Sequence, residues 1–105
     1  MPTSVILALT TEADGERAER LARALLERRL AACVALSPQT SLYNWQDQLA
    51  CSSEVQLLIK TDASRLVELE QVVHELHSYD TPMWLHWPAG AAEPYGTWLA
   101  ESCSA

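Results

Sequence analysis

The sequence has 105 residues, of which 49% are hydrophobic and 20% charged, a composition typical of one folded domain over residues 1–105. The formal net charge of −7 argues against a nucleic-acid partner, because phosphate binding needs clustered lysine and arginine. No apolar run approaches the ~20 residues of a spanning helix, and no basic segment precedes the first apolar run. We therefore predict neither a membrane partner nor a signal peptide.

The first half of the predicted fold follows from two different hydrophobic periods. Residues 4–10 are apolar and open on β-branched side chains, which predicts a strand. From Glu16 the apolar residues recur every three or four positions, which predicts an amphipathic helix whose other face is charged and linked by salt bridges. The members of its apolar stripe are Ala18, Leu21, Ala22, Leu25, Leu26 and Leu30.

A long hairpin is predicted in the centre of the chain. Its first arm comprises residues 30–36 and 42–45, with Pro38 as an interruption, and its second arm residues 54–60. Residues 46–48 form the connecting turn. A second helix over residues 63–77, with Asp62 as its N-cap, a short strand over residues 83–87 and a C-terminal helix complete the pattern.

This order of elements predicts an α+β fold, the ferredoxin-like βαββαβ sandwich with a C-terminal helix. Both main helices would cover one face of a four-stranded antiparallel sheet and leave the other face open. Because alternate side chains of a strand point to one side, Ser41, Tyr43 and Trp45 share a face. Such a row of aromatic side chains indicates either an interface between subunits or a platform for a ligand.

Cysteine usage points to a reducing environment. Cys33, Cys51 and Cys103 are an odd number of cysteines without a CxxC motif, which predicts free thiols and a cytoplasmic location. Cys33 is expected to be a buried core residue, Cys51 to be exposed, and Cys103 to lie in a fraying tail.

The sequence offers few residues arranged for catalysis or metal binding. It has only three glycines, and neither a phosphate-binding loop nor a nucleophile elbow is recognisable, so an enzyme is not predicted. Glu54 and Lys60 share a strand face and are interpreted as an exposed or interface ion pair. A weak copper site built from histidine, cysteine and carboxylate groups is the remaining metal hypothesis, with Cys33 and His77 as its candidate ligands.

Several motifs together resemble the CutA family of divalent-cation tolerance proteins over nearly the whole chain. The matching positions are residues 30–34 (Leu-Ala-Ala-Cys-Val), residues 41–45 (Ser-Leu-Tyr-Asn-Trp), Glu54, Lys60, Thr61, residues 77–83, Tyr95, Trp98 and Leu99. Three positions depart from the family pattern: Asp47 replaces a glycine, Ser78 a proline and Met83 a glutamate. Met83 offers a soft thioether in place of a hard oxygen ligand, which favours copper(I).

The resemblance implies a homotrimer in which the hairpin strands pack between subunits, and a non-enzymatic role in tolerance of copper or other divalent ions, with no required cofactor. It also implies a similarity to the PII signalling proteins, which bind small molecules in clefts between subunits. On that alternative, the cleft residues are Tyr43, Trp45, Glu54, Lys60 and Tyr79. A small acylphosphatase-like enzyme is disfavoured, since residues 10–15 contain no arginine. The motifs could also encode packing alone.

Overall fold

The structure is a computed structural model that describes residues 4–104. The elements in chain order are β1 (Val5–Glu12), α1 (Gly15–Glu27), β2 (Cys33–Trp45), β3 (Gln48–Asp62), a 3₁₀ turn (Ala63–Arg65), α2 (Leu66–Leu76), β4 (Leu85–Ala89) and α3 (Glu93–Ser102). The four strands form one antiparallel sheet in the order β2-β3-β1-β4. This is the predicted ferredoxin-like α+β architecture.

Both main helices cover the same face of the sheet, as predicted. The core between them contains apolar residues of α1, α2, the two central strands and the connection from α1 to β2, namely Ala8, Ala18, Leu21, Ala22, Leu25, Leu30, Ala31, Leu57, Ile59, Leu69, Val72 and Val73. Asp14 begins α1 by accepting a hydrogen bond from the backbone N–H of Arg17, a typical N-cap. The opposite sheet face, which we call the open face, carries Leu7, Leu58 and Lys60 by strand alternation.

The hairpin is longer than the sequence pattern predicted, and Pro38 does not interrupt it. β2 is an edge strand, so the missing N–H of Pro38 removes no bond from the interior of the sheet. The first arm begins at Cys33 rather than at residue 30, because Leu30 is fully buried in the core before the strand starts.

The outer end of the hairpin is a two-stranded ribbon formed by residues 39–45 and 48–54. β1 pairs with β3 only from Val55 onwards, so the ribbon has no third strand within the described residues. It carries exposed apolar side chains: Leu42 is 66% exposed, Trp45 63% and Leu49 74%. Isolated two-stranded hairpins are marginal in water, so this ribbon is a surface that gains stability when covered.

Two residues with positive φ close the ribbon. Gln46 has φ 51° and Asp47 has φ 62°, the combination of a type I′ turn, whose twist matches that of the strands. Glycine adopts this conformation without strain, and aspartate is among the few residues that tolerate it. The turn thus accommodates Asp47 at a position where the family resemblance led us to expect a glycine.

The three cysteines do not all lie where they were expected. The prediction for Cys103 is wrong: its side chain is buried against Val5 and Leu99, because α3 lies over the start of β1 and holds the C-terminal segment in place. Cys33 is half-buried on the open face rather than in the core, whereas Cys51 is exposed, as predicted. No helix within residues 4–104 is both long enough and apolar enough to cross a bilayer.

Candidate functional site

A groove of about 650 Å³ lies on the open face where the ribbon leaves the sheet. Four of the predicted cleft residues line it together: Tyr43, Trp45, Glu54 and Tyr79. The other lining residues are Thr11, Gln39, Ser41, Asp80, Thr81 and Met83. The volume lies within the range of small-molecule sites in proteins.

Strand register explains why these residues meet. Gln39 pairs with Glu54, and alternation along β2 places Ser41, Tyr43 and Trp45 on the same side of the sheet. Thr11, which pairs with Gln56 two residues along the neighbouring strand from Glu54, was not singled out in the sequence. The signal was present, since Leu7, Leu9 and Thr11 continue one alternating face.

Glu54 is the polar centre of the groove. Its Oε2 accepts hydrogen bonds from the hydroxyl of Tyr79 at 2.9 Å and from that of Thr11 at 3.2 Å. Hydrogen bonds to a charged acceptor are stronger than neutral ones, so these contacts fix the carboxylate and draw the segment after α2 onto the sheet.

Tyr79 is the titratable group that the groove perturbs. Burial, followed by the hydrogen bond to Glu54 and the charge of that carboxylate, raises the pKa of Tyr79 from 10.0 to about 12. At neutral pH the phenol is therefore a hydrogen-bond donor, and Glu54 is its acceptor.

We expect the Tyr79 phenol to ionise near pH 12, and Glu54→Gln to move its pKa down towards 10, because the negative neighbour is lost. The folded pKa lies above the unfolded value, so the stability linked to Tyr79 is complete below pH 10 and is lost as pH rises towards 12. Phenolate absorbance, taken as the difference between wild type and Tyr79→Phe, measures this transition. A Tyr79 transition near pH 10 in the wild type would contradict the assigned contacts.

A second polar cluster supports this segment from the helix side of the sheet. His77 is buried, and its Nε2 lies 2.7 Å from the carbonyl oxygen of Thr11 and 3.1 Å from Oγ1 of Thr10. Its Nδ1 accepts a hydrogen bond from the backbone N–H of Tyr79 at 3.0 Å. A carbonyl can only accept, so Nε2 carries the proton and the ring is the neutral Nε2–H tautomer.

Glu12, only 1% exposed, completes this cluster. Its carboxylate accepts hydrogen bonds from the hydroxyl of Ser78, from the backbone N–H of Ser78 at 3.1 Å and from the N–H of Ala13 at 3.2 Å. A proline at position 78, the residue expected from the resemblance, would lack both Ser78 donors. No sequence pattern indicates this role of Glu12, because its partner Ser78 is 66 residues away in the chain.

Lys60 does not line the groove, and Glu54 and Lys60 do not pair within one chain. An ion pair of these residues across an interface stays a prediction. The two residues are six positions apart along β3, which corresponds to roughly 20 Å of extended strand. Lys60 instead places its Nζ 5.8 Å from the ring centroid of Tyr95, a cation–π contact with α3.

The two candidate metal ligands lie on opposite faces of the sheet. Cys33 pairs with Lys60 on the open face, whereas His77 contacts Thr10 on the helix side. Both ring nitrogens of His77 are already engaged, so metal binding there would have to displace the N–H of Tyr79 or release the Nε2 proton. Within residues 4–104 no three His, Cys, Asp or Glu side chains come together in an arrangement that could hold a metal ion.

Comparison with known proteins decides the family. Residues 6–102 match the sequence profile of the family described as CutA1 divalent ion tolerance protein. The chain belongs to this family. The resemblance inferred from the motifs is therefore confirmed.

Relatives of this CutA1-family chain cover it almost completely. It is 46% identical over 99 residues to the divalent-cation tolerance protein CutA of Pectobacterium atrosepticum, and the aligned region covers 92% of this chain and 90% of the relative. It is 37% identical over 103 residues to the human protein CutA, covering 96% of this chain but only 58% of the human protein. The chain thus spans little more than half of the human relative.

Solved structures support the same assignment. The structure of CutA from Synechococcus elongatus superposes with a TM-score of 0.94 at 36% identity, covering 99% of this chain and 95% of that one. A protein from Archaeoglobus fulgidus, described as a periplasmic divalent cation tolerance protein, superposes with a TM-score of 0.92 at 30% identity, covering 95% and 99%. The fold and the family are therefore consistent with each other.

Proposed function

We propose that this CutA1-family chain acts in tolerance of divalent cations as a non-catalytic homotrimer that is assembled through the ribbon and the open face. Family membership supports the link to divalent cations. The assembly is supported by the apolar surface that the chain leaves exposed. The single observation that supports the proposed assembly most strongly is the ribbon, a two-stranded extension with exposed leucine and tryptophan side chains.

The open face continues this apolar surface away from the ribbon. Leu85 and Trp87 of β4 pair with Leu9 and Leu7 of β1, so they lie on the same face as Tyr43 and Trp45, and both are exposed. Apolar surface that extends along the part of a sheet face not covered by α3 is typical of an interface. Three copies meeting through their ribbons would cover it and would give each ribbon the neighbouring strands it lacks.

The proposed role of copper is weak or indirect binding, since no ligand cluster among residues 4–104 of one chain supports a tight site. The soft ligand best placed for copper(I) is the thioether of Met83, which lines the groove beside Glu54. Exposed Cys51 is a second soft group and lies on the ribbon. No catalytic step is proposed for these residues, and no cofactor is required.

Calorimetric titration of the reduced protein with copper and with zinc tests direct binding. In a Cys51→Ser background, which removes the exposed thiol, we expect copper(I) to give a weak stoichiometric heat and zinc a smaller one. Met83→Leu, a swap that conserves side-chain volume, should weaken the copper signal at least severalfold. The absence of any copper heat from the wild-type protein would contradict direct binding.

The second candidate function is a small-molecule sensor, and the observation that favours it is the groove around Glu54. On either function we propose a cytoplasmic location, which the three free thiols support. The Archaeoglobus fulgidus protein is described as periplasmic, and this location is stated for that relative only.

A further inference from the structure

We propose that His77 is a proton-sensitive switch that connects the buried cluster on the helix side of the sheet to Glu54 on the open face. The switch lies within one chain, so it depends neither on the proposed trimer nor on copper binding. The observation that supports it is a closed cycle of hydrogen bonds through His77, Thr11, Glu54 and Tyr79. This cycle reaches from the helix side of the sheet to the open face.

Thr11 and Tyr79 each contribute two hydrogen bonds to this cycle, one to His77 and one to Glu54. The backbone carbonyl of Thr11 accepts from Nε2 of His77 at 2.7 Å, and its hydroxyl donates to Oε2 of Glu54 at 3.2 Å. The backbone N–H of Tyr79 donates to Nδ1 of His77 at 3.0 Å, and its phenol donates to Oε2 of Glu54 at 2.9 Å. A change at the imidazole therefore reaches the carboxylate through both residues.

The tautomer of His77 determines where a second proton binds. Nε2 already carries a proton, because the carbonyl of Thr11 can only accept, so a proton taken up from water must bind Nδ1. Nδ1 then has no lone pair left for the backbone N–H of Tyr79, and that hydrogen bond is lost. Protonation therefore opens the cycle at the residue that carries the phenol.

Glu12 gives the new N–H a charged acceptor. Its Oε2 lies 3.6 Å from Nδ1 of His77, and both side chains are buried. A small rotation of the imidazole would bring the two atoms into hydrogen-bond distance and form a buried ion pair. The proton thus exchanges a neutral bond to the Tyr79 backbone for a charged bond to β1.

The surroundings of His77 act on the proton in opposite directions. Two titratable groups face the imidazole: Glu12 from β1, and Tyr79 from the segment after α2, whose ring centroid lies 5.0 Å away. The carboxylate favours the cation, as does the position of His77 at the end of α2, where the helix dipole is negative. Burial favours the neutral imidazole. The balance between these effects is what allows the imidazole to respond to pH.

Opening the cycle changes the open face because Tyr79 is held at both of its ends. Without the bond from its backbone N–H to His77, we expect the phenol of Tyr79 to leave Glu54, which keeps only the longer bond from Thr11. In the proposed trimer, neighbouring subunits cover the open face. The rearrangement would then occur at the contact between subunits, so acidification is expected to alter that contact.

An NMR titration of the intact, isotope-labelled protein from about pH 8 to about pH 5.5 tests the switch, because histidine changes charge in this range. We expect the imidazole of His77 to titrate. With the same midpoint, the backbone N–H of Tyr79 should exchange with solvent at least about tenfold faster, after correction for the intrinsic pH dependence of exchange. Unchanged exchange at Tyr79 while His77 titrates would overturn the proposal. A His77 imidazole that stays neutral throughout the series would overturn it as well.

Three variants assign the transition of Tyr79 to its cause. His77→Gln keeps an amide donor for the carbonyl of Thr11 but cannot take up a proton, so it should abolish the transition. Glu12→Gln removes the charged acceptor and should move the midpoint to lower pH. His74→Gln replaces an exposed histidine of the same helix and should change nothing.

The outcomes of these variants are decisive in either direction. A Tyr79 transition that persists in His77→Gln would assign it to another group and would contradict the switch. An unchanged midpoint in Glu12→Gln would show that the carboxylate does not receive the new N–H, and it decides the question even if His77→Gln does not fold. Because copper is absent from the titration, its result is separate from the metal proposal.

Discussion

Replacing Trp45 with glutamate is expected to convert the assembled protein into monomers of 11.7 kDa. Trp45 is 63% exposed on the ribbon, so covering it in a trimer removes on the order of 100 Å² or more of apolar surface from water. At ~25 cal/mol per Å² this contributes about 3 kcal/mol per protomer. A carboxylate at the same place would be desolvated without a partner, which costs several kcal/mol more.

Val67→Glu is the matched control for this substitution. Val67 lies on α2, on the helix side of the sheet, and is 75% exposed, more than Trp45 itself. It also exchanges an apolar side chain for glutamate but lies outside the proposed interface, so the control should keep the mass of the wild type. Sedimentation of both variants at micromolar concentration measures the difference. A Trp45→Glu protein with wild-type mass would show that the ribbon is not the interface.

Glu12→Leu is expected to have the largest effect on the free energy of unfolding among the polar residues, with a loss of about 3 kcal/mol. The buried carboxylate accepts three hydrogen bonds, two of them from Ser78. Removing it leaves these donors without their acceptor and loosens the connection between β1 and the segment that carries Tyr79. Urea denaturation at one fixed protein concentration measures the change, since association contributes to stability.

The control for this prediction is Glu101→Leu, which makes the same chemical change at an exposed position of α3 and should cost less than about 0.5 kcal/mol. Ser78→Pro removes two of the three donors and leaves the buried Glu12 carboxylate with one, so we expect it to lose stability as well. A Glu12→Leu protein as stable as the control would contradict the role assigned to the buried carboxylate.

The sequence contained enough to predict the fold because its signals are local. The helical spacing of Leu21 and Leu25 predicted α1, and the alternation of Val55, Leu57 and Ile59 predicted the central strand. The length of the ribbon was missed because its polar run at Ser52 and Ser53 shows no hydrophobic period. Cys103 was misplaced for a similar reason, since its burial depends on where α3 lies and not on its neighbours in the chain.

The candidate site was predictable in its residues but not in its contacts. Alternation placed Tyr43 and Trp45 on one face, and the family resemblance added Glu54 and Tyr79. The hydrogen bond between Tyr79 and Glu54 joins positions 25 residues apart, and no sequence period reports such a contact. Lys60 does not pair with Glu54 within one chain, because sharing a strand face says nothing about the distance along it.

Measuring the molar mass of the purified wild-type protein by light scattering across a dilution series tests the central claim of assembly through the ribbon most directly. The proposed assembly requires one species with three times the 11.7 kDa of a single chain, unchanged over micromolar dilution. A species of 11.7 kDa at every concentration would contradict it, and the exposed leucine and tryptophan side chains of the ribbon would then need a different partner.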